Sequence, residues 1–263
     1  MTEHEIRYGL RTRVIGQSIE IHDRVESTNQ LALQRGCTGA EEGTLILAEY
    51  QAAGRGRHGR IWHSPHGSSL LTSLILRHRL LPNQIGIPSL MGAVSIAYAI
   101  RELVKLPAMI RWPNDVLVCG RKISGVLTEL DYDQNKQLFF VLGFGVNINI
   151  ASAELPLSLR SSATSIQREL GRNISRVSVL RTILHHLEDN YSRLKCGGTS
   201  TIIDSAIDLS TTIGKSVQLE TLDGSFNGIA EGIDAEGRLI LRDRSGQLRV
   251  FSSGDVVHGR DRI

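Results

Sequence analysis

Short apolar runs and long amphipathic runs alternate along the first two-thirds of this chain. Thr44-Leu-Ile-Leu-Ala-Glu-Tyr50 and Ser68–Arg77 are nearly continuous apolar runs and predict buried strands. Before them, Val25-Glu-Ser-Thr-Asn-Gln30 predicts a helix start, with Ser27 as N-cap and Gln30 at the capping-box position. That helix runs to Gly36, which reads as its C-cap. Pro88 to Leu106 gives the clearest helix. Leu90, Val94, Ala97, Ile100, Leu103 and Val104 recur at helical spacing, and Pro107 follows the end. Ala108–Trp112 and Val116–Cys119 predict short strands. Lys122–Asp131 and Gln137–Ile150 predict longer ones, joined by a hairpin turn at Tyr132-Asp-Gln-Asn-Lys136. Ser175–Lys195 and Thr199–Leu209 predict two more helices. Residues 1 to about 25 are short and mixed, and Ile150–Thr164 has so little regular pattern that it reads as a mobile segment.

The pattern changes near Thr211. From Ile213 onward short alternating runs are broken by Asp223-Gly224, Asp234-Ala-Glu-Gly237 and Ser245-Gly246. Turn signals this close together predict a small all-β barrel or sandwich. The expected organisation is therefore residues 1–212 as one domain and 213–263 as a second, small enough to need packing on the first.

Composition narrows the class only slightly. Of 263 residues 41% are hydrophobic and 22% charged, as in ordinary globular proteins. The net charge of +3 comes from mixed charges, which does not argue for a nucleic-acid protein. Cys37, Cys119 and Cys196 are isolated and odd in number, which favours a reducing, cytoplasmic setting over a disulfide framework or a cysteine zinc site. The first residues lack the apolar core of a leader, and no uncharged run is long enough to predict a membrane span.

Candidate chemistry sits in three clusters. In the first, Gly54-Arg-Gly-Arg-His-Gly-Arg60 packs three glycines and three arginines into seven residues directly after a strand. Glycines let backbone N–H groups approach an anion, and guanidinium groups match phosphate and carboxylate. The loop is neither a Walker A motif nor a dinucleotide fingerprint, since no Gly-Lys-Ser/Thr and no following helix complete it. In the second, Arg111-Trp-Pro-Asn-Asp115 forms a turn, and Lys122 starts a strand seven residues later, within reach of Asp115. In the third, Gly143-Phe-Gly-Val-Asn-Ile-Asn149 places two asparagines on one face of an apolar strand, either as network members or as pocket lining. His58, His63 and His66 lack helical metal-ligand spacing, and no metal site is expected. No Ser/His/Asp or Gly-x-Ser-x-Gly nucleophile pattern is present.

Taken in order, Ser27-Thr-Asn29, Gln51 with the arginine loop and Trp62, Trp112-Pro-Asn-Asp115, Lys122-Ile-Ser-Gly-Val-Leu127 and Gly145-Val-Asn-Ile-Asn149 resemble a bacterial biotin protein ligase. The resemblance spans residues 22 to 260. It implies an α+β fold, with a mixed-sheet catalytic domain of the biotin/lipoate ligase type followed by a small SH3-like β-barrel. It also implies a reaction: biotin and Mg2+-ATP give biotinyl-5′-AMP, which acylates a lysine of the biotin carboxyl carrier protein of acetyl-CoA carboxylase or a related carboxylase. Biotin, ATP and Mg2+ enter as substrates, without a tightly bound metal.

By motif position, the resemblance assigns Ser27, Thr28, Asn29, Gln51, Gly54, Arg55, Gly56, Arg57, Trp62, Lys122 and Gly125 to biotin. It assigns Arg57, Arg60, Trp62, Arg111, Asn114, Lys122 and Asn147 to the nucleotide side, and gives the chemistry to Lys122, Arg55, Arg57 and Asp115. Asp115 is expected either to orient or deprotonate the incoming lysine or only to position Lys122. Ile150–Thr164 is expected to be a loop that orders over adenine.

Arg111 stands where the family commonly has lysine, which keeps charge but changes its geometry. Only 26 residues precede Ser27, too few for the winged helix-turn-helix of bifunctional members, so no specific DNA binding and no repressor role are expected. No membrane partner is expected, and a homodimer is left open. The rival readings are a lipoate or octanoate ligase or transferase, which shares the catalytic fold, and a non-enzymatic nucleic-acid binder. Against the second, aromatic residues make up only 5% of the chain.

Overall fold

A computed structural model describes residues 1–81 and 84–258. Two sheets organise the chain. The first has seven strands: β1 (Ile19–Val25), β2 (Leu45–Gln51), β3 (Ser69–Leu76), β4 (Met109–Arg111), β5 (Asp115–Val118), β6 (Arg121–Tyr132) and β7 (Leu138–Asn147). Their order is β1-β2-β3-β7-β6-β5-β4. β1 and β2 are parallel and the other pairs antiparallel, so the sheet is mixed, as expected. The second sheet is antiparallel, built from β8 (Ser216–Thr221), β9 (Gly224–Ile233), β10 (Leu239–Arg242), β11 (Leu248–Phe251) and β12 (Asp255–His258), in the order β11-β10-β9-β8-β12.

The period-2 pattern of β7 decides where the site lies. Phe140, Leu142, Phe144 and Val146 point into the main core. They pack with α3 (Ile87–Val104), α5 (Arg176–Lys195) and α6 (Thr199–Asp208). α3 is apolar nearly all round because it lies between the sheet and those two helices, the condition for such a composition. Phe139 and Val141 face the opposite side, where α2 (Thr28–Cys37) covers them. Continuing along that face, β7 carries Gly143, Gly145 and Asn147. Apolar packing stops there and the cavity begins.

Several expectations need correction. Gly36 is not a C-cap. It is buried inside α2, whose C-cap is Thr38. A Cβ at Gly36 would stand 2.1 Å from the Phe139 ring, so close packing rather than a turn requires glycine. The mixed first segment contains α1 (Glu3–Arg7) and β1, whose Ile19 and Ile21 pack against the main core. Asn149 does not share a strand face with Asn147, because β7 ends at Asn147. Asn149 instead clasps Ile174, donating to its carbonyl and accepting from its N–H at 2.9 Å each. Residues 150–164 contain two single 3-10 turns, Ser152–Glu154 and Leu157–Leu159, and a short α4 (Ile166–Leu170) follows.

The two sheets meet through the Trp-Pro-Asn-Asp segment. Trp112 is 2% exposed, and its Nε1 donates to the Gly237 carbonyl at 3.1 Å. Gly237 lies against Ile87 and Leu90 at the start of α3. This indole joins the second sheet to the core that carries the site.

Gly36→Ala is expected to lower unfolding free energy by about 2 kcal/mol, the usual cost of overpacking a dense core. Denaturant unfolding measures it, and an unchanged midpoint would mean that the α2–β7 contact yields freely.

Candidate active site

The site is a cavity of about 280 Å3 on the α2 face of the large sheet. Ser27, Thr28, Asn29, Gln51, Arg55, Gly56, Arg57, Arg60, Trp62, Arg111, Asn114, Asp115, Lys122, Gly125 and Asn147 all line it, so the sequence clusters converge in space. Gly54 lies outside the lining. A Cβ there would come within 2.9 Å of Gln51 Nε2, and its carbonyl accepts the Trp62 N–H at 2.9 Å. Gly54 thus shapes the loop from behind.

The cavity has a direction. At the level of Gly143 its groups are neutral hydrogen-bonding ones. Ser27 caps α2 by accepting the Gln30 N–H at 3.5 Å, and it is 4% exposed. Thr28 donates through N–H and O–H to Gln51 Oε1 at 2.7 and 3.0 Å. Gly143 has to be glycine, since a Cβ would stand 1.8 Å from Asn29 Oδ1.

Two residues further along β7, at Gly145, the cavity becomes ionic. Trp62 lies across Gly145 and Gly125, where Cβ atoms would come within 2.5 and 3.4 Å of its ring. Lys122 Nζ sits 5.7 Å from the centre of that ring and 2.5 Å from Asp115 Oδ1. Asp115 Oδ2 accepts from Arg111 at 2.9 Å. Burial alone would raise the Asp115 pKa, but Lys122 and Arg111 outweigh it and hold the carboxyl below its ordinary range. With each oxygen ion-paired, Asp115 is poorly suited to act as a base and well suited to hold Lys122.

At Asn147 the lining becomes amide again. Asn147 Nδ2 donates to the Thr164 carbonyl at 2.9 Å, and its Oδ1 is buried without a partner. The segment expected to be mobile closes this end. Leu155, Leu159, Ser162 and Ala163 line the cavity, and Lys122 N–H donates to the Ser162 carbonyl at 2.8 Å. From Gly143 to Asn147 the three levels span about 13 Å of strand.

The arginine loop forms the rim. Arg57 donates to Asn114 Oδ1 and to the Gly254 carbonyl, each at 3.2 Å, and lies 3.7 Å from Asp255. Burial pushes the Arg57 pKa down from its ordinary value, with Asp255 and Asp115 opposing. Arg60 pairs with Asp255 at 2.5 Å, while Arg55 is exposed and bridges through its backbone to Ile61. Asn114, assigned to the nucleotide side, lines the cavity. Its Nδ2 donates to the Val126 carbonyl at 2.6 Å and its Oδ1 orients Arg57. Of the three loop histidines, His66 reaches Asp23 at 2.7 Å and His58 lies beside Arg57. Among the described residues no three His, Cys, Asp or Glu side chains converge as metal ligands.

The sequence did not mark Gly143, Gly145 and Asp255 as shapers of the site, whereas Leu155 and Leu159 fall in the Ile150–Thr164 segment expected to lie over adenine. The two glycines stand in the third cluster beside its asparagines, with no local pattern to distinguish them. Asp255 begins a four-residue strand that the turn pattern did not reveal.

A lysine and several guanidinium groups gathered round one cavity, beside a neutral hydrogen-bonding end, make a site suited to anionic groups. Comparison with known proteins specifies the class. Residues 21–147 match the biotin/lipoate A/B protein ligase family and residues 212–259 the biotin protein ligase C-terminal domain. The chain is 36% identical to the bifunctional ligase/repressor BirA of Bacillus subtilis, over 96% of this chain and 78% of that protein. It is 34% identical to the biotin–[acetyl-CoA-carboxylase] ligase of Mycobacterium tuberculosis, over 95% of this chain and 94% of that one. The solved biotin protein ligase of Aquifex aeolicus in complex with biotin and ATP superposes with a TM-score of 0.79 at 26% identity, covering 92% of this chain and 98% of that one. The chain belongs to the biotin protein ligase family.

Asp115 contributes stability with a defined pH dependence. Its folded pKa is depressed, so the contribution is present above the unfolded value of about 3.9 and is lost as pH falls through the folded value. Asp115→Asn is expected to cost about 2 kcal/mol at pH 7, reduced from a fully buried pair by the partial exposure of Lys122 and Arg111. The gap to wild type should narrow below about pH 4. A gap that persists at lower pH in urea unfolding would contradict the ion-pair account.

Proposed function

We propose that this chain is an ATP-dependent biotin ligase that forms biotinyl-5′-AMP and transfers the biotinyl group to a lysine of a carboxylase's biotin carboxyl carrier domain. The observation that carries the reading is the order of groups along β7: neutral donors and acceptors at Gly143, cations at Gly145, an amide at Asn147. Biotinyl-adenylate has the same order, with a urea ring, then a carboxylate joined to phosphate, then adenine.

In the first step a biotin carboxylate oxygen attacks the α-phosphorus of ATP. The bond to pyrophosphate breaks and a mixed anhydride forms. Two anions must approach, so the site has to supply positive charge where they meet. Lys122 and Arg57 supply it, and Asp115 keeps the Lys122 ammonium at that level of the cavity. Arg111 completes the ion pair, and Arg55 and Arg60 add charge at the rim. In the second step the carrier lysine amine attacks the acyl carbon and AMP leaves. Asp115 acts here as a positioning group. Positioning and charge neutralisation do the work, in keeping with the absence of a nucleophile motif.

Thr28 and Gln51, with Ser27, take the ureido ring. Trp62 and Gly125 flank the acyl chain, and Asn147 with residues 150–164 takes adenine. Mg2+ arrives on the nucleotide, held by phosphate and water oxygens in the usual way of Mg-ATP. The carrier domain and a cytosolic setting belong to this proposal. The repressor part of the Bacillus name is said of that relative alone.

The test is pyrophosphate release from Mg2+-ATP with biotin, lipoate and octanoate in parallel. Release with biotin alone is expected, followed by labelling of a carrier-domain lysine. Release with lipoate or octanoate instead would reassign the pocket. Lys122→Ala is expected to lose on the order of 10²–10³ in rate, as when one electrostatic stabiliser is removed. Arg57→Gly should still form adenylate but let it escape, so that bystander lysines become labelled. Unchanged adenylate dissociation in that variant would remove Arg57 from its retaining role.

A further inference from the structure

The neutral end of the cavity is backed by a hydrogen-bond chain that the reaction scheme does not use. Asn29 Nδ2 donates to Glu129 Oε2 at 2.7 Å and more weakly to the Leu127 carbonyl at 3.3 Å. Both partners can only accept, so they settle which way the Asn29 amide points. Its Oδ1 is thereby turned toward Ser73, whose Oγ lies 2.6 Å away and is fully buried. Ser73 has one proton and two acceptors in reach, Asn29 Oδ1 and, at 2.8 Å, Thr28 Oγ1. The Ser73 hydroxyl is shared between them and so ties the Thr28 oxygen to the Asn29–Glu129 pair.

Thr28 gives its own proton to Gln51 Oε1, and of the two lone pairs on its oxygen one meets Ser73 and the other is left for the cavity it lines. Gln51, accepting through its oxygen, must present Nε2 as a donor. One acceptor and one donor side by side match a cyclic urea, which offers an N–H and a C=O. An aliphatic or dithiolane ring would leave both protein groups unpaired, the kind of mismatch that gives strong discrimination.

We propose that Glu129 is a positioning residue that anchors the Thr28 acceptor of the ureido end and so supports the selectivity for a cyclic urea. The proposal rests on the biotin-ligase reading. Glu129 acts through Asn29, Ser73 and Thr28 without touching the ligand. Its removal leaves Asn29 Nδ2 only the 3.3 Å contact with the Leu127 carbonyl, so Asn29, Ser73 and Thr28 lose the anchor that fixes the lone pair receiving the urea N–H.

The experiment is calorimetric titration of the full chain with biotin in the absence of ATP. Glu129→Ala is expected to weaken binding about tenfold, the equivalent of roughly one hydrogen bond. Glu129→Gln should stay within about twofold of wild type, because its amide oxygen accepts the same bond. Desthiobiotin, which keeps the urea, should lose as much as biotin, while ATP binding should not change. Ser73→Ala breaks the same chain further along, so Glu129→Ala added to it should cost no more than about twofold again.

Biotin binding by Glu129→Ala equal to wild type would overturn the proposal. So would equal losses for biotin and ATP, which mark a merely structural role, or fully additive losses in the double variant. If Glu129→Ala does not fold, Ser73→Ala and Glu129→Gln decide, with wild-type biotin affinity in Ser73→Ala counting against it. Failure of the wild-type chain to bind biotin at all would instead bring down the functional reading.

Discussion

The site depends on one buried carboxylate. Asp115 holds Lys122 on one oxygen and Arg111 on the other, at the level where the cavity is crossed by Trp62. Without it two cations would face each other in a partly desolvated space, at a cost that rises as the local dielectric falls. With it, their charge is fixed in place before any ligand arrives. Preorganised charge does not have to reorient as the reaction proceeds, and here that charge stands where carboxylate and phosphate must meet.

Around that ion pair the sheet supplies emptiness. Gly143, Gly145 and Gly125 occupy positions where any side chain would collide with Asn29, Trp62 or Lys122. The same face of β7 is filled by Phe139 and Val141 further back, so one strand serves as core and as cavity floor by changing residue size along its length. The second sheet is tied to this floor twice, through Trp112 to Gly237 and through Arg57 and Arg60 to Gly254 and Asp255. The arginine loop is thus held from the far end of the chain.

Much of this was legible in the sequence. The strands flanking the arginine loop, the apolar helix at Ile87–Val104 and the long β6–β7 hairpin carry strong periodicity, and they are found where the pattern put them. Arg57, Asp115 and Lys122 stood out because charged residues near strand ends and turns invite a chemical question. Other features had no local signal. Gly36, Gly143 and Gly145 matter only through Phe139, Asn29 and Trp62, which are distant in sequence, so their meaning is tertiary. Gly36 followed a helical pattern and imitated a C-cap. Asn149 imitated a pocket residue because nothing in the run Val146–Ile150 marks the end of the strand. Asp255 belongs to a strand of four residues, too short for its alternation to be read.

The central claim is that the order of groups along β7 matches the order of groups in an acyl-adenylate. A crystal structure with a non-hydrolysable biotinyl-adenylate analogue tests it most directly. The account predicts the urea ring against Thr28 and Gln51, Lys122 Nζ within hydrogen-bond reach of both the acyl and the phosphate oxygens, and adenine beside Asn147. A ligand bound in the reverse direction, or a Lys122 that stays on Asp115 and contacts neither oxygen, would contradict it.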